Sequence, residues 1–199
     1  MPLYVGAQNT STQPGSKWEV LGTTNFETSN GSYSENTGWT TDYQLVRCAF
    51  SYLGRSSTGS NTYASLSCRF YLADAYSGNG SLSTGNNYQH SNRYRDAASS
   101  DINTQVDQGS EWKFFNGNSA LYWDGEITFR IGTDATNRNT YKHATARIEM
   151  HDTSSISIGD DYAEDVTSSS KVIVGAKIYE HGGNNFIQGR VTWYGLKYA

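Results

Sequence analysis

The residues in this chain that could do chemistry are few, and each has a plainer structural use beside it. The acidic stretch Asp160-Asp161-Tyr162-Ala163-Glu164-Asp165 is the best calcium suspect. Carboxylate oxygens suit calcium, and Asp160, Asp161, Glu164 and Asp165 could supply them from a loop. The stretch lacks the spacing of an EF-hand loop, so the plainer reading is a solvated acidic loop, and no metal or cofactor is expected. His90, His143, His151 and His181 are scattered and form neither HxH nor HExxH. A zinc site needs three or four convergent ligands, which leaves these histidines to loop solvation. Cys48 and Cys68 stand 20 residues apart with no CxxC. They read as two buried free thiols, or as a cross-strand disulfide if their Cα atoms come within about 7 Å. Glycoside hydrolysis needs two facing carboxylates. Glu126 and Glu149 each stand alone on a polar face, and no acidic pair shows strand spacing. Serine chemistry has no GxSxG elbow to carry it. No catalytic residue is assigned, and the chain reads as a non-enzyme.

Tyrosine is the residue type that remains. A tyrosine offers a large contact area with little rotamer entropy to lose. Tyr71, Tyr76, Tyr88, Tyr94 and Tyr179 lie on polar faces or beside loops and are the candidates for a subunit interface or a ligand surface. Strands also favour tyrosine intrinsically, so these residues could simply follow the fold.

The elements that must position them are strands. Val46, Cys48, Phe50 and Tyr52 alternate with Arg47 and Ser51, the period of a half-buried strand. Leu66, Cys68, Phe70 and Leu72 repeat the pattern, as do Ile127, Phe129 and Ile131. Ala144, Ala146, Ile148 and Met150 do so again, then Val172, Val174, Ala176 and Ile178, and finally Gly189, Val191 and Trp193. Weaker strands are expected over 18–24, 88–95, 112–115 and 155–158. Asp124-Gly125 is a two-residue hairpin candidate. Residues 96–99 and 160–166 are the only helical suspects, each about one turn long. The expectation is an all-β, jelly-roll-like sandwich of two sheets with about eight to ten antiparallel strands. It would occupy residues 17–199 as a single domain, behind a polar arm or linker at 1–16.

Composition narrows the class further. The chain has 199 residues, 17% charged and 14% aromatic, with 15 tyrosines and 5 tryptophans. Ser, Thr, Asn and Gly make up roughly two-fifths of it, yet this aromatic content argues against disorder. The net charge of −4 comes with no basic stripe, so a nucleic-acid backbone is not an expected partner. No run approaches the roughly 18 apolar residues of a membrane span, and the N-terminal residues lack the pattern of a signal peptide.

The C-terminal stretch Phe186-Ile187-Gln188-Gly189-Arg190-Val191-Thr192-Trp193-Tyr194-Gly195-Leu196-Lys197 resembles the closing strand of small jelly-roll structural proteins of tailed bacteriophages, in particular those of aquatic and cyanobacterial phages. Those proteins commonly end in F-x-x-G-x-hydrophobic-x-hydrophobic-Y-G-hydrophobic. The likeness in letters covers about twelve residues; the rest of the chain matches in style. It implies a non-enzymatic virion component at the particle surface: a head decoration or cement protein, a tail-tip knob or a fibre domain. The family has no catalytic motif to carry over. Strand-like sequence begins by Trp18, too soon for a trimeric fibre shaft, and this favours a compact accessory protein bound to the major capsid protein or to tail proteins, clustered as a homo-oligomer. A lectin-like module that recognises host surface glycans, through exposed aromatics and the acidic stretch, is the alternative.

Overall fold

A computed structural model describes residues 17–27, 31–55, 66–74, 76, 78–85, 88–96, 102–114, 122–131, 143–151, 156–165, 171–183 and 185–197, with the backbone alone at 55, 90–96, 102–108, 143 and 156–165. The expected arm at 1–16 lies outside them. The described residues contain no helix. They form thirteen strands. The first five are β1 (Trp18–Asn25), β2 (Tyr33–Thr37), β3 (Tyr43–Arg55), β4 (Leu66–Ala73) and β5 (Ser81–Leu82). The middle four are β6 (Tyr88–Asp96), β7 (Ile102–Gly109), β8 (Trp112–Phe114) and β9 (Tyr122–Arg130). The last four are β10 (His143–His151), β11 (Ile156–Asp165), β12 (Val172–Glu180) and β13 (Phe186–Lys197).

The strands build two antiparallel sheets. The larger runs β1-β13-β3-β9-β10-β11-β6-β7, and the smaller β2-β12-β4-β5, with β8 also paired to β4. The consecutive strands β3 and β4 lie in opposite sheets, and each pairs with a strand from the far end of the chain: β3 with β13, β4 with β12. This winding of the two chain ends around one core makes the sandwich jelly-roll-like.

The alternating faces find their core as expected. Val46, Cys48, Leu66, Cys68, Phe70, Ile127, Phe129, Ala144, Ile148, Ile178 and Val191 are all fully buried. Four tryptophans, Trp39, Trp112, Trp123 and Trp193, fill the space between the sheets. Trp39 packs on Phe129 with ring centroids 5.1 Å apart, and Phe70 meets Phe129 edge-on at 5.8 Å. Each large side chain contributes about 1.5–3 kcal/mol on burial, so low apolar content overall is compatible with a full core. Cys48 and Cys68 are free, buried thiols. They stand on facing sheets, where no ladder holds their backbones together.

Four expectations are corrected. Asp124-Gly125 is no hairpin turn, since β9 runs straight through it. Gly125 has φ +150°, and a Cβ there would fall 2.3 Å from the Arg147 carbonyl oxygen. The glycine is there to let β10 approach. Tyr52 does not continue the buried face of β3. The β3–β9 register slips between Phe50 and Leu53, so Leu53 takes the core position and Tyr52 turns outward, 53% exposed. The acidic stretch is neither loop nor helical turn, because β11 extends from Ile156 through Asp165, paired with β10 and β6. Of the other helical suspect, Asp96 ends β6 and 97–99 lie outside the described residues. The strand count also exceeds the expectation, because β2, β5 and β7 carry too little apolar alternation to be read.

Candidate functional site

The five candidate tyrosines have separate fates. Tyr88 is fully buried, which removes it from any interface. Its hydroxyl accepts the Phe70 backbone N–H at 2.7 Å, so it ties β6 to β4 inside the core. Tyr76 is partly buried and packs against the core. Tyr94 stands on β6 opposite Asn103 and Gly159, and its side chain lies outside the described residues. Tyr71 and Tyr179 come together on the outer face of the smaller sheet.

That face is built by register. Lys177 of β12 stands between Glu35 of β2 and Arg69 of β4, and Tyr179 between Tyr33 and Ser67. Alternation then puts Tyr33, Glu35, Arg69, Tyr71, Lys177 and Tyr179 on one side, away from the core. Tyr71 donates its hydroxyl to Glu35 Oε2 at 2.6 Å. The Lys177 ammonium sits 3.7 Å from the centre of the Tyr33 ring, and the Arg69 guanidinium lies over Tyr179 at 5.4 Å. Aromatic and charged side chains thus hold one another in place. Burial and the Glu35 carboxylate raise the Tyr71 phenol to about 12. Burial and Glu111 push that of Tyr179 higher still.

Glu111, just before β8, anchors one end of this face. Only 4% of it is exposed. Arg69 Nη2 and Lys113 Nζ each lie 3.7 Å from its carboxylate. The Tyr179 hydroxyl and His181 Nδ1 contact it as well. Arg69 also donates from Nε to the Ser110 carbonyl at 3.2 Å. One buried carboxylate therefore gathers groups from β4, β8, β12 and the turn after β12. A buried acid with several donors is stable where it stands, and removing its charge would strand the cations around it.

A second cluster, on the outer face of the larger sheet, has no sequence signature. Tyr52 adopts φ +51°, the one non-glycine residue with positive φ among those described. Its ring stacks on Tyr122, with centroids 4.4 Å apart and planes 9° from parallel. Asp124 Oδ1 accepts the Tyr52 backbone N–H at 2.7 Å. His151 Nε2 lies 3.5 Å from Asp124 Oδ2 and 3.9 Å from Glu149 Oε2. Asp124 and Glu149 are direct cross-strand partners. An acidic pair therefore exists after all. It spans two strands, where spacing along one strand could not reveal it, and its Asp124 half has the composition of a turn.

The four calcium suspects share β11, where successive positions alternate between faces. Their side chains lie outside the described residues. Among the described residues no group of three or more His, Cys, Asp or Glu is arranged to hold a metal ion. No helix among them is long and apolar enough to cross a membrane. No protein-family model, curated protein or solved structure matches the chain.

Proposed function

We propose that the chain is a non-enzymatic structural accessory protein of a bacteriophage particle, in the first place a head decoration protein that docks through the outer face of its smaller sheet. The observation that carries this reading is that face, with Tyr33, Glu35, Arg69, Tyr71, Lys177 and Tyr179 already paired with one another. Interfaces are enriched in tyrosine and arginine. Side chains fixed before contact lose less entropy when a partner arrives. Charges of both signs suit a partner that must be met in one register. The likeness of Phe186–Lys197 to phage jelly-roll proteins supplies the biological setting.

The test is binding to particles of the phage that encodes the chain, prepared without it. Saturation of capsids at a fixed copy number, read by light scattering, is the expected result. Tyr71→Ser combined with Lys177→Glu should lower occupancy by about tenfold or more, without changing the melting temperature by more than a few degrees. Binding to tails alone would move the site of action to the tail. Failure to bind any part of the particle would overturn the reading.

A further inference from the structure

We propose that the Tyr52–Tyr122 surface of the larger sheet is a binding subsite for a neutral saccharide. The first reason is how much of the fold is devoted to presenting Tyr52. A non-glycine residue in the left-handed region costs about 1–2 kcal/mol and persists only where its surroundings hold it. Here three contacts do so. Asp124 accepts the Tyr52 N–H. Tyr122 stacks on its ring. Gly189, at φ +95°, lies so close that a Cβ would stand 2.3 Å from the Tyr52 carbonyl oxygen. The strain turns an aromatic ring away from the core and into solvent.

The second reason is the surroundings of that ring. Gln188 lies across Gly54, where a Cβ would meet its side chain at 2.6 Å, so the missing side chain of Gly54 is the space Gln188 occupies. Tyr122 foremost raises the Tyr52 phenol above its usual range, and the Gln188 side chain acts on it in the opposite sense. Asp124, Glu149 and His151 follow on the other side, each about a third exposed. Strands β13, β3, β9 and β10 are neighbours, so an apolar ring face is flanked by an amide, two carboxylates, an imidazole and a second phenol. These groups both donate and accept.

The chemistry of the ligand follows. Two carboxylates beside the ring disfavour a phosphate backbone or an acidic polymer. Asp124 Oδ1 accepts the Tyr52 N–H and Oδ2 lies 3.5 Å from His151 Nε2, so this carboxylate is already engaged within the protein. What fits is a neutral molecule with a flat C–H face for the ring and hydroxyls for the rim, which describes a pyranose. Tyr52 is 53% exposed on the outer face of a sheet, which suits one or two units within a chain better than an enclosed monosaccharide.

The test is titration of the intact protein with cello-, malto-, xylo-, manno- and chito-oligosaccharides, and with oligogalacturonate as the acidic comparison. Tyr52→Asn removes the ring but keeps a side chain that tolerates left-handed backbone. Tyr122→Leu removes the stacking partner. At least one neutral oligosaccharide should shift the NMR signals saturably, and either substitution should weaken it by about tenfold or more while the melting temperature stays close to that of the parent. No response to any neutral oligosaccharide would overturn the proposal, as would binding that survives both substitutions or binding of oligogalacturonate alone. The Tyr71→Ser, Lys177→Glu variant, altered on the opposite face, should bind the sugar like the parent. Failure of particle docking and failure of sugar binding are thereby separate results.

Discussion

Replacing Gly125 with alanine tests whether this glycine serves a turn or a close approach. In a hairpin turn the added methyl would point to solvent and cost only the backbone preference, about 1 kcal/mol. In the structure Gly125 sits mid-strand, and the methyl carbon would fall 2.3 Å from the Arg147 oxygen and 2.9 Å from the Ile148 Cα. Both atoms are backbone, so neither can swing aside as a flexible side chain would. Strand β10 must withdraw, straining or losing ladder hydrogen bonds worth about 1 kcal/mol each. Strained backbone adds about 1–3 kcal/mol. The sum is about 3–5 kcal/mol, which for a chain of this size lowers the melting temperature by about 10–15 °C. Gly183→Ala is the control. Gly183 has φ +78°, and a methyl added there would meet nothing within 4 Å, so it carries the backbone cost alone and should lose only about 2–4 °C. Thermal unfolding followed by near-UV circular dichroism compares the two. Equal losses would refute the close-approach argument and restore the turn.

Three further outcomes are expected. Glu111→Gln keeps the shape but removes the carboxylate charge that faces Arg69 and Lys113; those groups are a quarter to a third exposed, so water offsets part of the loss and urea unfolding should show about 1–3 kcal/mol of destabilisation, an unchanged midpoint contradicting the anchoring role. Tyr43 and Tyr71 are raised from 10.0 to about 12, by burial first and then by Glu19 and Glu35; a raised phenol is held neutral by the fold, so its contribution is whole below pH 10 and is lost as pH rises toward 12, and a tyrosinate absorbance titration should show late-ionising phenols together with falling stability in that window. Burial raises both cysteine thiols well above their usual range, so a disulfide-exchange reagent should leave the native protein unmodified and label two thiols in denaturant, rapid native labelling being the contrary result.

The core faces of β3, β9 and β10 were legible because each of these strands buries one side only. Val46, Cys48 and Phe50, or Ile127, Phe129 and Ile131, cannot be placed with any other period and still leave water. What escaped reading was whatever breaks the period. The slip between Phe50 and Leu53 reverses inside and outside for Tyr52, and no residue type announces it in advance. The glycine at 189 that permits it lies far away in sequence and next to it only in the fold. Asp124-Gly125 has turn composition, but the requirement for glycine comes from β10, a contact invisible to local patterns. The acidic stretch at 160–165 has loop composition, yet the β10 and β6 backbones on either side make a strand of it. Among the tyrosines, sequence could not separate Tyr88, whose hydroxyl has a core partner, from Tyr71 and Tyr179, whose partners lie on the surface. Each of these residues has an environment made by strands distant in the chain.

The closing strand speaks to packing before it speaks to function. Phe186 packs edge-on against Phe26 at 5.1 Å, and Trp193 meets Trp39 at 6.1 Å. Gly189 clears the Tyr52 carbonyl, and Gly195 leaves room for the Tyr43 ring, which a Cβ would approach to 2.5 Å. Phe, Gly, Val, Trp and Gly in this stretch therefore each answer a packing requirement of the larger sheet. A chain that shares the pattern shares a way of closing a sandwich, because the pattern is a record of inward contacts. Function has to be sought among residues the pattern leaves free, on the two outer faces. One face gathers paired tyrosines and charges around Glu111. The other turns a single stacked ring into water at a cost in backbone strain, by the same slip that seats Leu53 in the core.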